Sequence, residues 1–398
     1  MKDSLRDMML NITRLTRTGR LREATAAIQR ALGASPLRPG EAPSGAHAAA
    51  AADAPVQVDP NVIDVELRFV DEAEWRETVP PAEPFVAPHA EPVDAPAAEP
   101  DRAGGEFIAR SFSNAAGTRE YKLYLPHGDF AEPLSLVVML HGCRQNPDDF
   151  AAGTRMNELA QAQGFLVLYP GQQKAVNPLG CWNWFKESEQ QRGRGEPSII
   201  AEMTRHIVAT QPIDPARVYI AGLSAGGAMA AVMAATYPDL YAAVGIHSGL
   251  PHAAANNLAS ALSAMKKGPA ARADGPRAAD QRAVPTIVFH GDRDTTVHPC
   301  NGDEVIAQAR WSAAAPSEPQ ANGDMTVERG AVPAGHGYTR TIHRDAEGRC
   351  DAEHWLVHGS GHAWSGGSPK GSYTDPLGPD ASAQMLRFFA EHPLRESN

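Results

Sequence analysis

Val218-Tyr-Ile-Ala-Gly-Leu-Ser-Ala-Gly-Gly-Ala-Met-Ala230 is the stretch on which the fold turns. Val218 to Ile220 is a short β-branched and aromatic run, which predicts a buried strand. The chain then passes through Gly222-Leu-Ser-Ala-Gly226 into an alanine- and methionine-rich segment of high helix propensity. A bare G-x-S-x-G is a weak pattern, and most matches to it are ordinary loops. A strand before it and a helix after it make the context of a nucleophile elbow. Gly222 and Gly226 supply the backbone freedom that so sharp a turn requires, where side chains would collide with neighbouring backbone. Ser224 is then expected at the tip, with a helix N-terminus behind it.

The surrounding sequence alternates strands and helices. Phe107 to Phe112 and Glu120 to Leu125 read as antiparallel strands joined through Asn114 to Gly117. Leu134 to Leu140 and Gly164 to Tyr169 read as buried strands, with a helical pattern around Met156 to Ala162 between them. A helix over about Ser198 to Thr210 leads to the strand before Ser224. Further strands are expected at Tyr241 to Ile246 and Pro285 to Phe289, and a final one at His354 to Val357. A closing helix runs over about Ala381 to Glu391. Apolar strands buried on both faces, alternating with helices, predict an α/β fold with a mostly parallel sheet covered on each side. The polar stretch Lys266 to Arg282 lacks periodicity and predicts a mobile surface insertion.

A serine hydroxyl is a poor nucleophile until a base takes its proton, and the base needs an orienting carboxylate. In an elbow fold these partners follow in the order Ser, acid, His. The segment Pro285-Thr-Ile-Val-Phe-His-Gly-Asp-Arg-Asp294 offers two aspartates. Asp292 sits directly after Gly291, where Asp is common for conformational reasons alone. Asp294 lies further out and is the preferred acid. Of 15 histidines, His354, His358 and His362 are four apart, which on a helix would suggest a metal site. The strand-like Trp355 to Val357 and the glycines at 359 and 361 argue against a shared face, so no metal and no cofactor is assigned. His362, in a glycine-rich loop past the last expected strand, is the candidate base. The oxyanion donors expected are the backbone N–H of Ala225 and that of Cys143, in His141-Gly-Cys-Arg-Gln145 after the third strand. The bland alternative for His141-Gly-Cys143 is a simple turn.

The chain has 398 residues and is 42% hydrophobic, enough for a sizeable core, and carries a formal net charge of −11. That balance argues against nucleic acid as a partner, and no apolar run is long enough to span a membrane. Four cysteines allow two disulfides in an oxidising compartment or four free thiols in the cytosol. Three regions are expected. Residues 1–33 form an amphipathic helical segment, with apolar Leu5, Met8, Met9, Ile12 and Leu15, then Leu21, Ala24, Ile28 and Leu32. Residues 34–104 form an Ala/Pro-rich disordered linker, with an unassigned apolar interruption at Val62 to Trp75. Residues 105–398 form the catalytic domain. The basic residues 2–32 read as a helical hairpin that docks on protein. The alternative is an anchor to a granule or membrane surface, which would make the chain a granule-binding or scaffold protein. No uninterrupted apolar signal region is visible there.

Beyond single motifs, the chain from about Phe107 to His392 resembles the polyhydroxybutyrate depolymerase family of esterases. This branch of the α/β-hydrolases also includes feruloyl and acetylxylan esterases. The motifs that carry the resemblance are Leu140-His-Gly-Cys-Arg-Gln-Asn146, Gly180-Cys-Trp-Asn-Trp184, Gly222-Leu-Ser-Ala-Gly226, His290-Gly-Asp-Arg-Asp294, His298-Pro-Cys-Asn-Gly302 and Gly361-His-Ala-Trp364. The resemblance implies an α/β-hydrolase fold, a triad of Ser224, Asp294 and His362, and Cys143 and Ala225 at the oxyanion hole. It implies disulfides Cys143–Cys181 and Cys300–Cys350, although residue spacing alone leaves all three connectivities open. It places Trp182 or Trp184 near the substrate, the alternative for both being core packing. The implied substrates are poly- or oligo(3-hydroxybutyrate) and similar esters, with feruloyl or acetyl esters of plant polysaccharide as the alternative. Secreted polymer depolymerases of this type carry a signal peptide and a C-terminal polymer-binding domain. Neither is visible here, so an extracellular location follows from the resemblance and a cytoplasmic one is the alternative.

Overall fold

The computed structural model describes residues 104–269, 283–311 and 325–394. The expected N-terminal helices, the linker, the Val62 to Trp75 run and most of the Lys266 to Arg282 insertion lie outside the described residues.

The described chain is built on a ten-stranded sheet. Its strands are β1 (Glu106–Asn114), β2 (Gly117–Leu125), β3 (Leu134–Leu140), β4 (Phe165–Pro170), β5 (Ile213–Leu223), β6 (Ala243–His247), β7 (Thr286–Gly291), β8 (Met325–Ala331), β9 (Gly337–Arg344) and β10 (Cys350–Val357). They lie in the order β1-β2-β4-β3-β5-β6-β7-β10-β9-β8. The six from β4 to β10 in that order are mutually parallel. Antiparallel pairs close both edges. This is the α/β-hydrolase fold.

Burial on both faces of the sheet follows from the side-chain period of two. On β3, Leu134, Leu136, Val138 and Leu140 enter one core, while Val137 and Met139 enter the other. Helices α1 (Pro147–Thr154), α2 (Met156–Gln163) and α7 (Ala381–Ala390) cover one face. The other is covered by α3 (Gly195–Thr210), α4 (Ala225–Thr236) and α5 (Leu258–Lys267). Helix α6 (Cys300–Trp311) packs along β7 and β10. Short strands β11 (Trp364–Ser365) and β12 (Thr374–Asp375) pair in the segment after β10.

Strand β10 is therefore not the last, and it begins at Cys350, four residues before the expected His354. β8 and β9 were also unforeseen. Almost every residue of β8, Met-Thr-Val-Glu-Arg-Gly-Ala, is exposed. An edge strand with little apolar burden leaves no hydrophobic period to read. The parallel strands point their C-terminal ends to one edge of the sheet. The segments after β3, β4, β5, β6, β7 and β10 leave from that edge, and all the candidate site residues except Cys350 lie on them.

Candidate active site

The elbow forms between β5 and α4. Ser224 has φ 56° and ψ −118°, a left-handed conformation that costs a non-glycine residue about 1–3 kcal/mol. Its surroundings enforce it. A Cβ on Gly226 would collide with the Leu140 and His141 carbonyls, and one on Gly222 with the Gly226 carbonyl. The Ser224 N–H donates to His247 O at 2.9 Å, tying the turn to the end of β6.

Asp294 leaves the loop after β7 and is buried. Its Oδ1 accepts the Thr296 and Val297 amides at 2.9 and 2.8 Å. Its Oδ2 lies 2.6 Å from His362 Nδ1 and 3.4 Å from His290 Nε2. Burial alone would raise the carboxyl, but hydrogen bonds from His290 and His362 outweigh it and hold it well below the usual carboxylate range. Asp292 instead faces outward. Its Oδ2 meets His358 Nδ1 at 3.0 Å, and its Oδ1 accepts the Gly359 amide. The three histidines spaced by four diverge: His354 lies 3.4 Å from Asp303, His358 binds Asp292, and His362 binds Asp294.

His247 joins the serine and histidine loops. Its carbonyl holds Ser224, its Nε2 accepts the Ser365 amide at 2.9 Å, and its ring stacks on Trp364 at 5.1 Å between centroids. Burial, with the nearby His290 and His362, drives its pKa well below the ordinary 6.5. It is therefore neutral, with Nε2 as acceptor and the Nδ1 proton directed to Ser248 Oγ at 3.2 Å. A polar residue closing the apolar run Val244 to Ile246 was the one sequence signal for it.

The loop after β3 lies against the elbow, since a Cβ on Gly142 would sit 3.6 Å from Ser224 Cβ. Ala225 is the first residue of α4, so its N–H falls outside the intrahelical ladder. Cys143 N–H has no partner among the described residues. Cys143 is disulfide-bonded to Cys181.

One expectation is corrected. Cys300 and Cys350 are free thiols. Cys350 opens β10 at the N-terminal edge of the parallel strands, whereas Cys300 opens α6 at the C-terminal edge. Only the far end of α6 returns to that level, where Arg310 lies 3.3 Å from His343, a residue paired with Ala352. A helix the length of α6 separates its ends by roughly 16 Å, well beyond the roughly 7 Å that a disulfide spans between Cα atoms. Trp182 and Trp184 are buried, 0% and 6% exposed, in line with the core-packing alternative. Trp182 packs on the His141 ring, with centroids 5.7 Å apart, and Trp184 stands edge-on to Phe185.

Residues 119–313 match the family model described as esterase PHB depolymerase. This region is similar to that family. Among curated relatives, poly(3-hydroxyalkanoate) depolymerase C of Paucimonas lemoignei is 34% identical over 260 residues, 63% of this chain and 60% of that protein. Feruloyl esterase B of Neurospora crassa is 36% identical over 150 residues, 37% of this chain and 50% of that protein. The chain thus spans 60% and 50% of the length of these two relatives. A probable acetylxylan esterase A of Aspergillus fumigatus is 28% identical over 270 residues, 59% of this chain and 69% of that protein. The solved acetyl xylan esterase from Aspergillus awamori shares the fold, with TM-score 0.54 and 21% identity over 72% of this chain and 100% of its own. No helix among the described residues is long and apolar enough to cross a membrane.

Proposed function

We propose that the chain is a serine carboxylic-ester hydrolase working through an acyl-enzyme. The observation that carries this reading is the 2.6 Å Asp294–His362 contact, in a loop tied through His247 to a strained Ser224. Ser224 Oγ attacks the ester carbonyl carbon while His362 Nε2 takes its proton. The carbonyl oxygen becomes an oxyanion, which accepts the Cys143 and Ala225 N–H groups. Asp294 holds the imidazolium that forms. The imidazolium returns its proton to the departing alkoxide as the C–O bond breaks. Water then attacks the acyl-enzyme by the same relay, freeing the acid and Ser224.

The substrates proposed are short-chain 3-hydroxyalkanoate oligoesters or polyesters, in line with the name of the Paucimonas relative. Feruloyl or acetyl esters are the second reading, motivated by the fungal relatives. The Cys143–Cys181 disulfide favours an oxidising, extracellular setting. The proposed domain boundary stays at residue 105, with the enzyme C-terminal to it. The test is a substrate panel of 3-hydroxybutyrate oligomers, amorphous polymer, and feruloyl and acetyl esters, with Ser224→Ala as the blank. Ser224→Ala should abolish p-nitrophenyl butyrate hydrolysis, and retained turnover would refute the mechanism.

A further inference from the structure

We propose that His141 and Glu196 are positioning residues that aim the Cys143 N–H at the oxyanion, acting through a buried chain of hydrogen bonds. The inference rests on the serine-esterase reading above.

The argument begins with the peptide between Gly142 and Cys143. It is trans, since the described chain contains no cis bond, so its C=O and N–H point in opposite directions. Whatever holds Gly142 O therefore sets the direction of Cys143 N–H. His141 holds it most closely, with Nδ1 2.8 Å from Gly142 O, beside a longer contact from the Gln145 amide at 3.3 Å. For Nδ1–H to donate, Nε2 of the neutral ring must accept, and it takes the Gln172 amide at 3.0 Å. Burial drives the His141 pKa down to about 4, opposed by the Gly142 hydrogen bond and the nearby Asp149. The ring is thus neutral at physiological pH with its tautomer fixed from both sides.

Gln172 is held in turn by a carboxylate. Glu196, in the first turn of α3, is 3% exposed. Its Oε1 accepts Gln172 Nε2 and, at 2.7 Å, Asn183 Nδ2, while its Oε2 accepts the Asn183 amide at 2.8 Å. Arg119 lies 3.5 Å away. Burial pushes the Glu196 carboxyl up, against the hydrogen bonds from Asn183 and Gln172. The four groups that hydrogen-bond or pair with it are all donors, while the Glu189 carboxylate nearby repels it. Gln172 Nε2 also donates to Cys181 O at 3.0 Å, and Cys181 is the disulfide partner of Cys143. One buried carboxylate thereby locks the segment after β4, and that segment reaches the oxyanion loop twice, through His141 and through the disulfide. Gln145 braces the far side of the loop, accepting the Gly142 amide at 3.0 Å. Trp182, unpaired at Nε1, walls in the His141 ring.

His141→Asn and His141→Gln separate the two bonds of the ring. An Asn amide nitrogen superposes on Nδ1 and keeps the bond to Gly142 O. A Gln amide oxygen superposes on Nε2 and keeps only the bond from Gln172. Glu196→Gln turns an NH2 toward one of four donors. The measurements are kcat and KM for p-nitrophenyl butyrate and the Ki of an alkyl trifluoromethyl ketone. That ketone adds Ser224 and places a negative oxygen in the hole. Loss of one oxyanion donor costs about 10²–10³-fold in kcat. His141→Gln should approach the lower figure, Glu196→Gln should lose about tenfold or more, and His141→Asn should stay within about tenfold of the parent. Ki should rise in parallel with the loss in kcat, and KM should change little. If His141→Gln matches His141→Asn in kcat and Ki, or if melting temperatures fall while Ki does not move, the proposal is overturned. Turnover by Ser224→Ala would overturn the esterase reading instead, and the two failures are distinct.

Discussion

Replacing Asp294 by Asn tests the site most sharply, because the structure dictates which way the amide must turn. In the parent, Oδ1 accepts two backbone amides, from Thr296 and Val297, and Oδ2 meets His362 Nδ1. Asn keeps one oxygen and gains two N–H donors. Turning its oxygen toward His362 would set the NH2 against both amides and leave two buried donors unpaired, at about 1–3 kcal/mol each. The favoured orientation keeps the oxygen on the amides and presents NH2 to His362 Nδ1. The imidazole must then accept at Nδ1 and carry its proton on Nε2, where it cannot take the Ser224 proton. A wrong tautomer of this kind costs about 10⁴-fold in kcat, or about 5.5 kcal/mol of barrier. The assay is steady-state hydrolysis of p-nitrophenyl butyrate, with the low-field Nδ1 proton followed by NMR and folding checked by thermal melt. Asp292→Asn, which disturbs only the His358 contact, should alter kcat by less than about threefold, in line with an exposed pair. A folded Asp294→Asn variant losing less than about thirtyfold, against that 10⁴, would refute the reasoning. So would an equal loss in Asp292→Asn.

Gly226→Ala drives a Cβ into two backbone carbonyls that β3 holds in place. A loss of about 3 kcal/mol or more is expected, read as a fall in Tm or in soluble yield. Acid should destabilise the fold before its carboxylates titrate. His141 is buried and His354 largely so, and desolvation keeps both neutral, pushed down to about 4 and about 3. The unfolded chain takes up their protons near 6.5, whereas the folded chain does not. Their contribution is complete above pH 6.5 and is lost as pH falls toward 4 and 3, about 1.4 kcal/mol per pH unit per histidine. Urea midpoints that stay flat between pH 6.5 and 4 would contradict this. Thiol titration of the denatured, unreduced protein should find two free thiols, Cys300 and Cys350, and four after reduction. Reducing Cys143–Cys181 should cost about 4 kcal/mol, since the closed loop spans 38 residues. Zero free thiols before reduction would restore the Cys300–Cys350 pair.

The sequence by itself determined the sheet and the elbow. Runs such as Leu134 to Leu140 are apolar without a break, which only a strand covered on both faces satisfies. Gly222 and Gly226 flank a serine at the one spacing where a turn that tight can form. Such signals are local, because they depend on what a few consecutive residues can bury or how they can bend. Sequence also narrowed the acid to two aspartates and the base to a glycine-rich loop. Which atoms meet was left to the tertiary structure. Asp294 and His362 are 68 residues apart and become neighbours only because β7 and β10 lie side by side. Cys300 and Cys350 fall at opposite ends of α6, a separation that no count of residues between them reveals. Glu196 lies just ahead of the helix expected from Ser198 and drew no notice, and His141 entered only as a neighbour of the expected donor Cys143. Only burial made them consequential, because inside the protein every donor needs an acceptor. At Glu196 and His141, satisfying that need sets the direction of an amide beside the serine on which the sequence reading began.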